Sequence, residues 1–123
     1  KQIKFIDHCK DMALAYQVSD IVISPSIEPE AFGRVAVEAQ SMEKLIIASN
    51  IGGSNETIIN NKTGLLFEAG NVDSLKEKII QGITMDDVSL KSMGREGRKN
   101  IIKKFNVEKM CFSTYSEYKR LLN

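Results

Sequence analysis

The chain has 123 residues, with 17 Lys and Arg against 16 Asp and Glu, which gives a formal net charge of +1 at pH 7. Hydrophobic residues make up 42% and charged residues 27% of the chain, values typical of a folded domain rather than a disordered one. No apolar run approaches the roughly 18 residues that span a bilayer, and so small a net charge offers no general attraction for nucleic acid.

The amino-terminal part of the chain alternates short apolar runs with helical patterns. The sequence predicts a strand over 3–6, a helix over 11–18, a strand over 21–24 and a helix over 34–42. A buried strand over 45–48 is followed by Gly52-Gly53, a short helix over 56–59 and a strand over 64–67. The predicted strands are mostly apolar, as expected of strands that are buried on both faces.

The carboxyl-terminal part is predicted to be helical. Ser74 and Glu77 match the capping box, in which each side chain bonds a backbone amide at the start of a helix. The helix that begins there is predicted to place four apolar residues on one face, namely Leu75, Ile79, Ile80 and Ile83.

This order of elements predicts an α/β fold with a Rossmann-like parallel sheet and helices on both faces. We expect a single domain over residues 1–123, with C-terminal helices over about 90–104 and 107–122. Met93 and Met110, one in each of these helices, are predicted to lie in the core.

The loop between the predicted strand 21–24 and the predicted helix 34–42 carries the most chemistry. In an open parallel sheet, ligands bind outside the carboxyl ends of the strands. Pro25 and Pro29 stiffen this loop, and Gly33 at the helix start lets a ligand approach the backbone closely. Because the first amides of a helix lack acceptors and lie at its positive dipole end, they suit a phosphate group.

Glu30 and Glu38 bracket this helix start with seven residues between them. In a continuous helix they would lie about 12 Å apart along the axis, farther than the roughly 5 to 9.5 Å of a glycoside-hydrolysing pair. Their separation suits two ends of an elongated ligand, with an anionic linker at the amides between them. Spacing alone, however, favours a solvated loop residue and a surface charge on a helix.

Taken together, residues 25–39 resemble the donor-binding motif of retaining GT-B glycosyltransferases, the "glycosyl transferases group 1" family. Glu30 and Glu38 match the E-x7-E signature of that family, with Phe32-Gly33 in the expected place. Residues 46–56, which include Gly-Gly-x-x-Glu, and residues 61–67 resemble two further stretches of the family. The resemblance covers about residues 3–105 and implies a partial C-terminal, donor-binding domain of a GT-B fold.

The resemblance implies a role for each matching residue. Glu30 is the implied catalytic residue, in contact with the transferred sugar, and Glu38 would accept hydrogen bonds from the ribose hydroxyls. The loop at His8 and Cys9 matches the place where the family holds the nucleobase against backbone. The donor sugar and its diphosphate would face the backbone amides at the start of the helix, around Phe32, Gly33, Arg34 and Val35.

The implied function is transfer of a sugar, with retention, from a nucleotide-diphospho-sugar to a hydroxyl acceptor on a glycan, lipopolysaccharide or glycolipid. No metal or other cofactor is implied, and the sequence has no Asp-x-Asp. The acceptor is expected on an N-terminal domain that this sequence lacks, so the chain alone is expected to be inactive. Two alternatives stay open: a GT-B nucleotide-sugar epimerase relative, and a non-catalytic fragment that binds or assembles with a partner.

The chain departs from the family pattern at several positions. Glu43 and Leu45 stand where the family usually has Gly and Pro, and Asp7 and Asn50 replace a common Gly and a common Asp. Two β-α units that normally open the domain, with a Gly-rich turn and an Arg/Lys pair for the pyrophosphate, are also missing. With no initiator Met and a strand-like run almost at once, the sequence is expected to be a piece of a longer chain.

The remaining reactive and basic residues favour ordinary roles. Cys9 and Cys111 are expected to be two reduced thiols in a cytoplasmic protein, and His8 a partly exposed loop residue rather than an acid or base. The Phe32 ring is expected to pack in the core, and Gly52-Gly53 to shape the donor pocket. A basic helix surface is predicted to be solvated, with peripheral contact to the inner face of a membrane left open: Arg95, Arg98, Lys99, Lys103 and Lys104.

Overall fold

The computed structural model describes residues 2–122 and contains a three-stranded parallel sheet. The strands are β1 (Ile21–Ser24), β2 (Leu45–Ser49) and β3 (Leu65–Phe67), in the order β1-β2-β3. Ile23 of β1 lies opposite Ile47 of β2, which in turn lies opposite Leu65 of β3. The helices of the described residues are α1 (Met12–Val18), α2 (Arg34–Ser41), α3 (Ser54–Thr57), α4 (Val72–Ile83), α5 (Asp87–Lys104) and α6 (Val107–Leu122).

Helices cover both faces of the sheet, as predicted. The five residues of β2 are all buried, and because successive side chains point to opposite faces, they contribute to two cores. Ile46 and Ala48 pack with Tyr16 of α1 and with Ala36 and Ala39 of α2. On the other face the second core joins β2 and β3 to apolar residues of α4 and α5: Leu45, Ile47, Leu65, Phe67, Leu75, Ile79, Leu90 and Met93.

The predicted strand over 3–6 is wrong. Residues 2–9 have no regular secondary structure, and Ile3, Phe5 and Ile6 are exposed. A strand obtains its backbone hydrogen bonds from a neighbouring strand, and within residues 2–122 the sheet consists of β1, β2 and β3 alone. An apolar, strand-like run therefore stays irregular here, because no strand pairs with it.

The other strands and helices form close to their predicted positions. The predicted helices over 11–18 and 34–42 and the strands over 21–24, 45–48 and 64–67 are confirmed, with ends that differ by one residue at most. The short helix α3 begins two residues earlier than predicted, and its first turn is closed by the Thr57 hydroxyl, which donates to the Gly53 carbonyl at 2.9 Å.

The predicted capping box at Ser74 is wrong. Helix α4 begins at Val72, and the Asn71 side chain accepts a hydrogen bond from the Ser74 amide at 3.0 Å. The Ser74 hydroxyl instead accepts from the Glu68 amide, so it fastens the helix to the end of β3. Only two members of the predicted apolar face, Leu75 and Ile79, pack on the sheet, while Ile80 and Ile83 are exposed.

The two long C-terminal helices behave differently from one another. Met93 of α5 packs against the second core, as predicted, and Ile101 is buried. The prediction for Met110 is wrong, because α6 has no buried residue and Met110 is 62% exposed. None of the helices described over residues 2–122 is both long enough and apolar enough to cross a membrane.

Candidate functional site

Two loops meet at the carboxyl edge of the sheet. Residues 25–33 connect β1 to α2, and residues 50–53 connect β2 to α3. The Gly53 amide donates a hydrogen bond to the Glu30 carbonyl at 2.8 Å, which joins the second loop to the first. The topology therefore brings the predicted sugar-binding glutamate beside the Gly-Gly segment, as expected for neighbouring parallel strands.

Gly52 and Gly53 allow this close contact between the loops. A Cβ atom on Gly53 would lie 2.3 Å from the carbonyl carbon of Phe32, and one on Gly52 would lie 2.5 Å from the carbonyl oxygen of Glu30. Both distances are far inside van der Waals contact, and the obstructing atoms belong to backbone that cannot rotate away. The glycines therefore set the path of the loop that carries Glu30.

Gly33 precedes α2 in a left-handed conformation, with φ at +72°. Its carbonyl accepts hydrogen bonds from the amides of Ala36 and Val37 at 3.1 and 3.3 Å. Within residues 2–122 the amides of Arg34 and Val35 have no acceptor, so the first turn of α2 presents N–H groups at its positive end. The Val35 side chain packs toward the first core, which leaves its backbone as the group available at this end.

Glu30 lies in the exposed part of the 25–33 loop, four residues before α2 begins. Its Oε1 atom accepts a hydrogen bond from the Ser26 hydroxyl at 2.5 Å. Because the helix begins only at Arg34, the two glutamates do not lie on one continuous helix, and the helical separation considered from sequence does not apply. Glu30 is thus a loop carboxylate, held by a residue of the same loop.

Glu38 lies on the second turn of α2, and both of its carboxylate oxygens accept hydrogen bonds. Tyr16 Oη donates to Oε2 at 3.0 Å, and Arg34 Nη2 pairs with Oε1 at 3.1 Å. The Glu38 side chain is about one-third exposed, whereas the Arg34 side chain is 84% exposed. The ion pair to Arg34 is therefore well solvated and weak, and the contact to Tyr16 is the more firmly held.

Tyr16 is buried on α1, where its ring packs in the first core. Burial raises the pKa of its phenol to about 12, and the hydrogen bond to the Glu38 carboxylate acts in the same direction. The hydroxyl therefore stays protonated at neutral pH and remains a hydrogen-bond donor to Glu38.

A cleft of about 450 Å³ opens between α1 and α2 beside this pair. Tyr16 and Glu38 line it, together with Arg34 at the start of α2 and Lys10 before α1. It thus offers a carboxylate, two basic groups and an apolar wall, a combination that suits a polar, anionic ligand with a flat or apolar part.

Phe32 does not lie in either core, so the prediction for its ring is wrong. The side chain is 44% exposed, and its ring packs edge to face on Phe105, with the ring centres 5.8 Å apart. Phe105 caps the carboxyl end of α5, and this contact links the 25–33 loop to the C-terminal helices. The backbone position at Phe32 is set by Gly53, as described above.

The other predicted residues contribute less to this geometry. His8 lies in irregular backbone, as predicted, and is exposed rather than partly exposed. Cys9 is half-buried in the same segment before α1, and its thiol donates to the Asp11 carbonyl at 3.2 Å. Cys9 and Cys111 are both free thiols. Over the described part of the chain no three His, Cys, Asp or Glu side chains are grouped as metal ligands would be.

Two supporting residues were not predicted from sequence. Ser26 follows Pro25, and its spacing of four from Glu30 was a usable local signal for a side-chain contact. Tyr16 lies 22 residues from Glu38, in a segment whose sequence predicts an ordinary amphipathic helix. No local sequence pattern relates Tyr16 to Glu38. Only the packing of α1 beside α2 brings them together.

The model of the family described as glycosyl transferases group 1 matches residues 1–100. The chain belongs to this family. The family resemblance read from the E-x7-E segment is therefore confirmed, and the α/β fold with a Rossmann-like parallel sheet is confirmed with it.

Named relatives agree with this assignment. The capsular polysaccharide biosynthesis glycosyltransferase CapM of Staphylococcus aureus is 29% identical over 98% of this chain and 31% of its own length. The crystal structure of a glycosyltransferase from Rickettsia africae superposes with a TM-score of 0.87 at 40% identity, over 94% of this chain and 31% of that one. That of an S. aureus TarM mutant in complex with fondaparinux, alpha-GlcNAc-glycerol and UDP has a TM-score of 0.73 at 27% identity, over 90% and 22% of the two chains.

The chain spans a third or less of the length of each of these three proteins. This fraction of their length is what a partial domain of a longer GT-B protein would cover.

Proposed function

We propose that this chain is the donor-binding C-terminal part of a retaining glycosyltransferase, which moves a hexosyl group from a nucleotide-diphospho-sugar to a hydroxyl acceptor. The observation that carries this proposal is the arrangement of Glu30 and Glu38 on either side of the acceptor-free amides at the start of α2. The family match and the UDP in the TarM complex support a nucleotide-linked donor. The acceptor is a glycan, lipopolysaccharide or glycolipid, and the name of CapM supports the first of these, a polysaccharide.

Each part of the donor has a matching group in this site. The diphosphate binds the amides around Phe32, Gly33, Arg34 and Val35, where the helix dipole favours negative charge. The ribose hydroxyls donate to Glu38, and the transferred sugar contacts Glu30. The amides and basic side chains balance the charge of the diphosphate without a metal or other cofactor.

The reaction follows from this placement. The acceptor oxygen attacks the anomeric carbon while the bond from that carbon to the phosphate oxygen breaks. The proton of the acceptor hydroxyl passes to the departing phosphate on the same face of the sugar, which retains the anomeric configuration. Stabilising the departing diphosphate and orienting the sugar then contribute most of the rate.

The remaining parts of the proposal concern the whole enzyme. Residues 1–123 form a single, truncated donor-binding domain, and the acceptor binds a separate N-terminal domain, so the chain alone does not turn over. The enzyme works in the cytoplasm, at times at the inner face of a membrane, and nucleic acid is not a partner.

Two glutamate variants test this function in the complete natural polypeptide that contains this chain. Glu38→Ala removes the ribose acceptor and is expected to weaken binding of the nucleoside diphosphate about 10-fold or more by calorimetry. Glu30→Ala is expected to lower the initial rate of sugar transfer at least as strongly, with nucleotide affinity nearly unchanged. Glu77→Ala, the same change at an exposed site on α4, is the matched control.

The outcomes separate the assignments from one another. Unchanged nucleotide affinity in Glu38→Ala would reject the ribose assignment. Product analysis with a radiolabelled donor identifies the reaction: label in an acceptor product supports transfer, and label in an epimerised sugar contradicts it.

A further inference from the structure

The buried phenol of Tyr16 has no part in the proposed chemistry, and yet it lies against one of its principal groups. The residue is 5% exposed and packs in the first core, so its place is set by the fold rather than by a ligand. Its hydroxyl nevertheless reaches out of the core and donates to Glu38 Oε2 at 3.0 Å. A hydroxyl in this position restricts how the carboxylate can turn.

The hydrogen-bonding capacity of the Glu38 carboxylate shows what this restriction achieves. An ionised carboxylate has about four acceptor positions, two on each oxygen. Tyr16 occupies one position on Oε2, and Arg34 occupies one on Oε1. Counting the contacts made within residues 2–122, one position remains on each oxygen, and two parallel acceptors match the two hydroxyl donors of a vicinal diol.

The two donors differ in how firmly they hold the carboxylate. The Arg34 side chain is 84% exposed, and a solvated ion pair of this kind exchanges readily with water. The Tyr16 ring has no such freedom, because α1, α2 and β2 surround it. The orientation of Glu38 in the cleft therefore depends mainly on Tyr16.

We infer that Tyr16 is a positioning residue, whose hydroxyl orients the Glu38 carboxylate so that both of its oxygens meet the vicinal diol of a nucleotide ribose. The inference rests on the proposed function, which places the ribose at Glu38. It makes a distinct claim about how the site recognises ribose: discrimination against deoxyribose depends on a hydroxyl that acts through Glu38 rather than by bonding the ribose itself.

The test uses Tyr16→Phe in the complete natural polypeptide, because this change removes one oxygen atom and keeps the ring. Calorimetry with UDP, GDP and ADP first identifies the nucleotide that the wild type binds best. The affinity for that nucleotide is then compared with the affinities for its 2′-deoxy and 3′-deoxy forms. Tyr118→Phe, the same change on the exposed face of α6, is the matched control.

Tyr16→Phe is expected to weaken binding of the ribonucleotide about 5- to 10-fold and to weaken binding of the deoxy forms much less. The ratio of the two affinities therefore falls, whereas a general loss of packing would lower both alike. Tyr118→Phe keeps the wild-type ratio. An unchanged ratio in Tyr16→Phe would overturn the inference while leaving the proposed function intact.

A double-mutant cycle gives a second, independent result. In the Glu38→Ala background, Tyr16→Phe is expected to change nucleotide affinity by less than about twofold, because the group that it positions is already gone. Additive losses would overturn the inference, since they would mean that Tyr16 acts by another route. If the wild type binds no nucleoside diphosphate, whatever its base, the proposed function fails, and the inference fails with it.

Discussion

The two glutamates of the E-x7-E motif are supported by different parts of the molecule. Glu30 lies on an exposed loop and bonds the hydroxyl of Ser26, a residue of the same loop. Glu38 lies on a helix and bonds Tyr16, whose ring is buried in the core 22 residues earlier in the chain. One motif therefore contains a locally held carboxylate and a carboxylate held by tertiary packing.

The difference extends to the backbone beneath each residue. The loop at Glu30 is held by backbone contact with Gly52 and Gly53, with no side chain between them. The helix at Glu38 is held by its apolar face, where Ala36 and Ala39 pack on β2. Adding a side-chain atom at one of these glycines should therefore disturb the Glu30 loop most. Removing the buried hydroxyl of Tyr16 should disturb Glu38 most.

The largest expected effect comes from adding a methyl group between the two loops. Gly53 has ordinary helical dihedral angles, so Gly53→Ala is unfavourable for steric reasons alone. Because the new Cβ atom would lie 2.3 Å from the Phe32 carbonyl carbon, we expect a loss of about 3 kcal/mol in the free energy of unfolding. Urea denaturation measures this loss.

Gly70→Ala is the control for that substitution. Gly70 has a φ of +75° and nothing within 4 Å of its virtual Cβ atom, so only backbone strain opposes the change. We expect a loss of about 1 kcal/mol. If both substitutions lowered the free energy of unfolding equally, the close approach of Phe32 would not be the reason that position 53 requires glycine.

The next effect concerns Tyr16 and alkaline pH. Burial raises the pKa of its phenol from the ordinary value of 10.0 to about 12, so the folded state favours the protonated form. The associated stability is fully present below pH 10 and is lost as the pH rises toward 12. Between pH 9 and pH 11 the wild type should lose about 1 kcal/mol more of its unfolding free energy than Tyr16→Phe does.

Urea unfolding of the chain at both pH values measures this difference. Tyr118→Phe should follow the wild type, because that ring is exposed. If the wild type and Tyr16→Phe lost equal amounts of unfolding free energy between the two pH values, the pKa of the Tyr16 phenol would not be raised by folding.

The smallest effect is expected at Glu30. Ser26→Ala removes one hydrogen bond from an exposed carboxylate, which is worth about 1 kcal/mol. The initial rate of transfer by the complete polypeptide should fall about fivefold, with nucleotide affinity unchanged. A loss of nucleotide affinity as large as that expected of Tyr16→Phe would contradict the division between the two regions.

Local patterns explain most of what could be predicted from the sequence. The strands β1, β2 and β3 were recognisable because apolar, β-branched runs between turns are typical of buried parallel strands. The capping of α4 was misassigned because Asn71 and Ser74 both carry capping side chains, and the end of β3 decided between them. The strand prediction over 3–6 is wrong for another reason. A strand requires a neighbouring strand to pair with, and the hydrophobic pattern of a segment does not show whether such a neighbour exists.

The sequence by itself determined the order of the elements, the family, and the two glutamates with the helix start between them, because these depend on residues close together in the chain. Only the tertiary structure decided which groups support them. The parallel register of β1 and β2 brings Gly52 and Gly53 against the Glu30 loop, and packing on β2 brings α1 beside α2. Tyr16 reaches Glu38 for that reason alone, since a hydrogen bond across 22 residues depends on the packing of helices rather than on any local pattern.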